Sequence, residues 1–390
     1  MHLRMIHPLH TRHFGKREHI LVSVLLRDFA QGLVDFFIPI LLLIEGYDLY
    51  LIGFYYMLNG VARMLTHFAT PQIMGSVGIQ NTLRLSSIMA MPYIIGINYV
   101  GEFTTLLPII AVYSGVMQSL YWGSRHIDMI NVLKGKTSAQ QVGNLEIAGS
   151  IMRIIAPFAG GLIAQYISAE ALYGVVFGVL LSSALILTQD ADKERKHQLP
   201  KIDLPKAFKR SNSRYFVANF AVNYQVQAST YVWPLVIYLT VSNIGTIGGV
   251  FAFGNLVYLG LVYLSTHSTH RLRYFVSGIT IRIASFVLRV VANTPVQLYA
   301  ADTTGALGHG MFLSLYVDAY YNQARKDEDA YANVLAKEIV GDIGKFAMWT
   351  MFTLATFNYS ADAAFDLIFF IGIPMLGLTF LMIPPQKQRY

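Results

Sequence analysis

Six bases (Arg27, Arg63, Arg153, Arg282, Arg289 and Lys345) and eight acids (Asp28, Asp35, Glu146, Asp302, Asp318, Glu338, Asp342 and Asp366) stand inside stretches that are otherwise apolar. A charge in hydrocarbon is costly, so each must pair, face water or titrate. Leu26-Arg27-Asp28-Phe29-Ala30-Gln31-Gly32-Leu33-Val34-Asp35 places Asp28, Gln31 and Asp35 at i, i+3, i+7, on one helical face. A carboxylate on such a face can take up and release a proton. The plainer alternative is that Asp28 pairs with Arg27 or another base.

Two further ridges repeat every four residues: Asn59, Arg63, His67 and Asn219, Asn223, Gln227. Such ridges must face protein or water, as a hydrophilic lining or as glue between helices. Tyr231 and Trp233-Pro234 follow the second ridge and add aromatic surface and a kink. Gln118, Tyr121, Trp122 and Arg125 also share a face, suited to an organic ligand or a cation, or else to an interfacial aromatic belt. His309 stands near the middle of its stretch, as a packing residue or a titrating one. Glu146 and Arg153, and likewise Glu338 and Lys345, are seven residues apart, roughly 10 Å along a helix, so each charge is expected to need a partner on another helix. Arg282 and Arg289 are expected to pair with Asp302 or Asp366.

Twelve apolar stretches of membrane-spanning length carry these residues. Apolar residues make up 54% of the 390 and charged residues 13%, a balance that leaves no room for a soluble domain. Lys and Arg fall in alternate connections: the N-terminus, around Arg84, Lys134–Lys136, Lys193–Arg214, Arg271–Arg273 and Arg325–Lys326, and the C-terminus. The intervening six connections have none. Cations are retained on the cytoplasmic side, so both termini are expected there. The net charge of +7 is explained by these loops without nucleic acid. Cysteine is absent, which excludes disulfides and thiol chemistry. The N-terminal histidines read as a solvated segment, so no metal and no cofactor is expected.

The one long polar connection, from about Asp190 to Arg214, divides the chain into six stretches and six. Glu146-Ile147-Ala148-Gly149-Ser150-Ile151-Met152-Arg153 matches Glu338-Ile339-Val340-Gly341-Asp342-Ile343-Gly344-Lys345, and Ser119-Leu120-Tyr121 matches Ser314-Leu315-Tyr316, at offsets of 192 and 195. Together they argue for a parallel duplication. The expected organisation is a cytoplasmic segment 1–18, a six-helix bundle 19–190, a linker 191–212, a second bundle 213–384 and a tail 385–390.

Six plus six spans, a basic central linker and cytoplasmic termini resemble the major facilitator superfamily over the whole chain. Ala156-Pro157-Phe158-Ala159-Gly160-Gly161 is similar to the Gly-Pro-x-x-Gly-Gly element of its antiporters, with Ala for the first Gly. The connection after the second span keeps Gly75 but lacks the acid and paired bases of the superfamily's motif, which places the chain outside the best-described branches. The resemblance implies an all-α fold of two pseudo-symmetric bundles, with spans 1, 4, 7 and 10 around a central cavity. It then makes Asp28, Asp35 and His309 proton-coupling candidates. Gln31, Gln118, Tyr121, Trp122, Asn219, Asn223, Gln227, Tyr231 and Trp233 become cavity candidates. It also brings span 2 against span 11 and span 5 against span 8, so Arg63 opposite Glu338 or Asp342 becomes a gate, with Glu146, Arg153 and Lys345 as further gate candidates. A brace within one half is the competing reading.

These features point to a monomeric secondary transporter of a small solute in the plasma or bacterial inner membrane, coupled to protons and leaning to export. Import is the alternative. A polytopic sensor or membrane enzyme is the reading from another class, but no nucleophile–base set and no phosphate-binding Gly-x-x-x-x-Gly-Lys-Ser/Thr loop is present.

Overall fold

The computed structural model describes residues 16–132, 138–188, 202–210, 213–326 and 329–383. These residues form helices and their connections: α1 Lys16–Val34, α2 Ile38–Ile44, α3 Leu49–Val77, α4 Ile79–Asn98, α5 Leu106–Val132, α6 Ser138–Tyr166, α7 Ala169–Thr188, α8 Leu204–Arg210, α9 Ser213–Gln227, α10 Trp233–Val241, α11 Ile244–His267, α12 Arg271–Val291, α13 Pro295–Lys326, α14 Ala330–Asn358 and α15 Ala361–Leu378. Taking α1 with α2 and α9 with α10 as single interrupted rods, and setting aside the short α8, twelve rods remain.

Proline causes both interruptions. Pro39 lies in the first turn of α2 and cannot donate back to Asp35, so the chain turns over Asp35–Phe37 before restarting. Pro234 stands at the same place in α10, and a π-turn over Ala228–Val232 absorbs the missing bond. The two prolines are separated by 195 residues, the offset that also relates Tyr121 to Tyr316. Between α3 and α4 the chain reverses at Gly78, whose φ of 93° suits only glycine without strain.

Packing follows one scheme in both parts of the chain. The first rod packs on the fifth and sixth (α1 on α6 and α7), the second on the fourth (α3 on α5), and the third on the fourth and sixth (α4 on α5 and α7). Six rods later the same pairs recur, as α9 on α14 and α15, α11 on α13, and α12 on α13 and α15. Two seams join the parts, α3 against α14 and α6 against α11. Small residues permit these approaches: a Cβ on Gly248 would stand 2.6 Å from the carbonyl oxygen of Pro157. Arg214 donates to the carbonyls of Leu381 and Ile383, so the start of α9 and the end of α15 share the linker end of the bundle.

Among the described residues, only four helices are long and apolar enough by length and composition alone to cross a membrane: Ala169–Ile186, Ile244–His267, Arg271–Val291 and Ala361–Met382. The sequence suggests twelve apolar stretches. The difference arises because helices turned inward, such as α3, α5 and α14, carry polar side chains that protein rather than lipid must satisfy.

Candidate functional site

Antiparallel packing of α3 and α14 sets their residues out in layers. Farthest from the linker end, Tyr50 meets Phe357 edge-on. Next, Tyr56 lies flat on Trp349, with centroids 4.3 Å apart and planes 11° apart, while Tyr231 of the π-turn stands 5.0 Å from Tyr56. Trp349 Nε1 donates to Gln227 Oε1 at 2.9 Å, which fixes the indole. Two turns nearer the linker end, the fully buried Asp342 lies 3.0 Å from Arg63 Nε and 3.1 Å from His67 Nε2, and receives a hydrogen bond from Lys345 Nζ at 2.8 Å. Arg63 also donates to Gln118 Oε1 at 2.6 Å. One turn farther, Tyr320 donates to Glu338 at 2.8 Å, and His126 meets both Glu338 (3.4 Å) and the Tyr321 hydroxyl (2.7 Å). An apolar plug of Met74, Ile127, Ile130, Leu335 and Ile339 then seals this end.

Asp342 and Glu338 lie on one half and Arg63, His67 and His126 on the other, so both layers join the halves. A fully buried carboxylate is tolerable only with such partners, and removing one leaves a costly lone charge. Arg63 and Asp342 fall near the midpoints of α3 and α14, deeper than the cytoplasmic half and first turns expected from sequence. Both helices continue for further turns at the linker end.

Within the first half, Arg125 grips Asp28 through Nη1 at 2.7 Å and Nη2 at 3.0 Å, and the Tyr121 hydroxyl donates to Asp28 at 2.9 Å. Asp28 pairs with Arg125, while neighbouring Arg27 is buried elsewhere. Its guanidinium lies 3.7 Å from the centroid of Tyr121 and donates to Ser86 and Ser87. Asp35 stands at the helix break, half-buried, and no described residue makes a hydrogen bond or ion pair to its carboxylate. Gln31, one turn earlier, is also half-buried.

On the matching rod, α9, the second half carries neutral groups. Tyr316 donates to Asn219 Oδ1 at 2.7 Å, Asn219 donates to the Lys337 carbonyl at 2.6 Å, and Asn223 donates to the Asn219 carbonyl. Further charges of this half lie toward α12: Arg289 is 4.0 Å from Asp302, and both Arg282 and Arg289 donate to Ser229 of the π-turn. Arg282 also donates to Gln225 at 2.5 Å. Asp302 is therefore the acid at Arg289, whereas Asp366 is exposed on α15.

Several sequence-derived candidates are placed away from the centre. Trp233 is fully buried, edge-on to Phe369 and under the Arg289 guanidinium, because two residues on from Tyr231 it falls on the opposite side of the helix. His309 stacks on Tyr258 of α11 and meets Phe312 edge-on, inside the second half. Lys345, expected to seek another helix, reaches Asp342 three residues upstream on its own helix. Trp122 stacks on His126 beside Arg125, toward the linker end. The side chains of Glu146 and Arg153 lie outside the described residues. Tyr56 and Trp349, which the sequence reading did not single out, lie seven residues from Arg63 and Asp342 along the same seam, and that spacing was the available signal.

Among the described residues, no group of three or more His, Asp or Glu side chains converges as a metal site. No curated protein matches the chain. Among solved structures, a bacterial homologue of the iron transporter ferroportin in its inward-facing state is similar at 12% identity, covering 94% of this chain and 97% of that one, with a TM-score of 0.67. Its outward-facing state (12% identity, 95% and 98% covered, TM-score 0.67) and the nucleoside transporter NupG (12%, 95% and 98%, 0.67) are equally similar. At this identity they show a shared fold. The family model of the Major Facilitator Superfamily matches residues 100–348, and with its two-seam helical architecture the chain belongs to that superfamily of membrane transporters.

Proposed function

We propose that the protein is a proton-coupled secondary transporter of a small solute, working by alternating access between two six-helix bundles, 19–190 and 213–384, with twelve spans and both termini cytoplasmic. The linker end is then the cytoplasmic end. The observation that carries this reading is the Arg63–His67–Asp342–Lys345 cluster, in which one half supplies the carboxylate and the other two of its partners. Such a layer closes one side and must come apart when the halves rock. Asp28, held by Arg125 and Tyr121, organises the first span. Asp35, unpaired at the helix break, is the carboxylate free to exchange its proton. Export follows from the Pro157–Gly161 element, which lies in the α6–α11 seam.

The test is flux in proteoliposomes holding the purified protein, with an imposed proton gradient and a panel of labelled amines, nucleosides, sugars and organic acids. The gradient should drive accumulation of at least one class, and a protonophore or Asp35→Asn should abolish it. Flux no greater than in empty liposomes, or flux indifferent to the gradient, would contradict the reading.

A further inference from the structure

We propose that the linker helix α8 is a latch on the linker end: docked on α14, it sets Leu204 into the plug that closes that end, so the central linker controls how readily the halves part. This rests on the transporter reading and adds a control point to its gate.

Local sequence makes α8 a docking helix. Leu204, Ala207 and Phe208 stand at i, i+3 and i+4 and so share one face. Pro205 enters in the first turn, where its missing N–H costs nothing. Seven residues are too few for a helix to persist in water on its own internal bonds, so packing must hold it. Leu204 and Ala207 are buried accordingly, and the Phe208 ring stands 5.5 Å from that of Phe216 on α9.

Two sets of contacts give the helix its place. Ala207 packs with Ala332 and Ala336 of α14. The backbone N–H of Asp203 donates to Asp329 Oδ2 at 3.3 Å, while Oδ1 of the same carboxylate accepts from the Ala332 N–H and caps α14. The start of α8 is thereby anchored to the helix that carries Glu338 and Asp342. Leu204 then joins the apolar plug, whose other buried members include Met74, Ile127 and Ile130 of the first half and Val334, Leu335 and Ile339 of the second.

The same contacts argue against blander roles. A simple tether would keep its side chains in water, whereas α8 buries Leu204 and Ala207. A brace confined to the second half accounts for Ala207 and Phe208, whose partners belong to α14 and α9, but not for Leu204 in a plug shared by both halves. When the linker end opens, α8 travels with α14, and Leu204 leaves the first-half side of the plug. The apolar surface then exposed to water opposes opening. Displacing α8 from α14 withdraws Leu204 and favours the open linker end.

The experiment uses the full chain in membrane vesicles of either orientation, with Asn223→Cys beside Gly341 as its one thiol and a membrane-impermeant maleimide as the probe. With the maleimide on the linker side, Leu204→Asp should raise the labelling rate about tenfold or more, because a carboxylate cannot stay in an apolar plug. Leu204→Ala should raise it several-fold, for the side-chain atoms lost from the seal. Leu204→Ile keeps the volume, and Phe208→Ala removes a contact made within the second half, so both should label as the unsubstituted reporter does. With the maleimide on the opposite side, labelling should not rise in any variant, which separates opening from general loosening. Unchanged linker-side labelling in Leu204→Asp, an equal rise in Phe208→Ala, or a rise from both sides would each overturn the proposal. Those results leave gradient-driven transport standing, whereas absence of flux for every solute would end the transporter reading whatever Leu204 does.

Discussion

Tyr121 and Tyr316 occupy matching places in the two halves, yet the first hydrogen-bonds a carboxylate held by arginine and the second an asparagine amide. The offset that relates them also carries Asp28 onto Asn223 and Asp35 onto Thr230. One half therefore keeps its central charges on the rod that breaks at Pro39. The other has neutral groups there and draws Arg282, Arg289 and Asp302 back toward α12. A duplicated scaffold thus does two jobs: the first rod of the first half carries carboxylates, and the matching rod of the second half presents polar, uncharged side chains.

The comparison can be broken by substitutions whose costs should differ in order. Arg125→Leu should be the most damaging. It leaves Asp28 buried without its ion partner, at about 3–5 kcal/mol, read as a lowered thermal midpoint. Adding Asp28→Asn should restore much of the loss, because the stranded charge is gone. Ser229→Ala comes next: it removes the hydroxyl that receives both Arg282 and Arg289 and should cost about 1–3 kcal/mol. Tyr316→Phe should be mildest, at about 1 kcal/mol, since it deletes one neutral hydrogen bond. Equal effects of Arg125→Leu and Tyr316→Phe would erase the distinction between the halves.

The seam was legible in sequence where helical spacing carried it. Asn59, Arg63 and His67 form a ridge, and the repeated octet marks Asp342, so a contact between them followed from the twelve-span resemblance. Side-chain direction was not legible. Trp233 follows Tyr231 closely in sequence but points into the second half, because residues two apart lie on opposite sides of a helix. For Asp28 the sequence leaves Arg27 or another base as partner; neighbouring helical residues face different ways, so Arg125 takes Asp28 and Arg27 finds Tyr121 and two serines. Lys345 was sent to another helix because Glu338 is too distant, although Asp342 stands at i−3. The stacking of Tyr56 on Trp349 depends on a pairing of distant helices, and no local pattern announces it.

Accessibility of the linker-end cavity tests the central claim most directly. The chain has no native cysteine, so Asn223→Cys, half-buried beside Gly341 at the depth of Asp342, gives a single reporter for a membrane-impermeant maleimide applied from the linker side. Arg63→Ala should raise its labelling rate about tenfold or more, by removing the partner that holds Asp342 closed. Exchanging the charges, Arg63→Asp with Asp342→Arg, should bring the rate partly back. Labelling that stays the same in Arg63→Ala would show that the cluster is a static brace and that the halves do not part there.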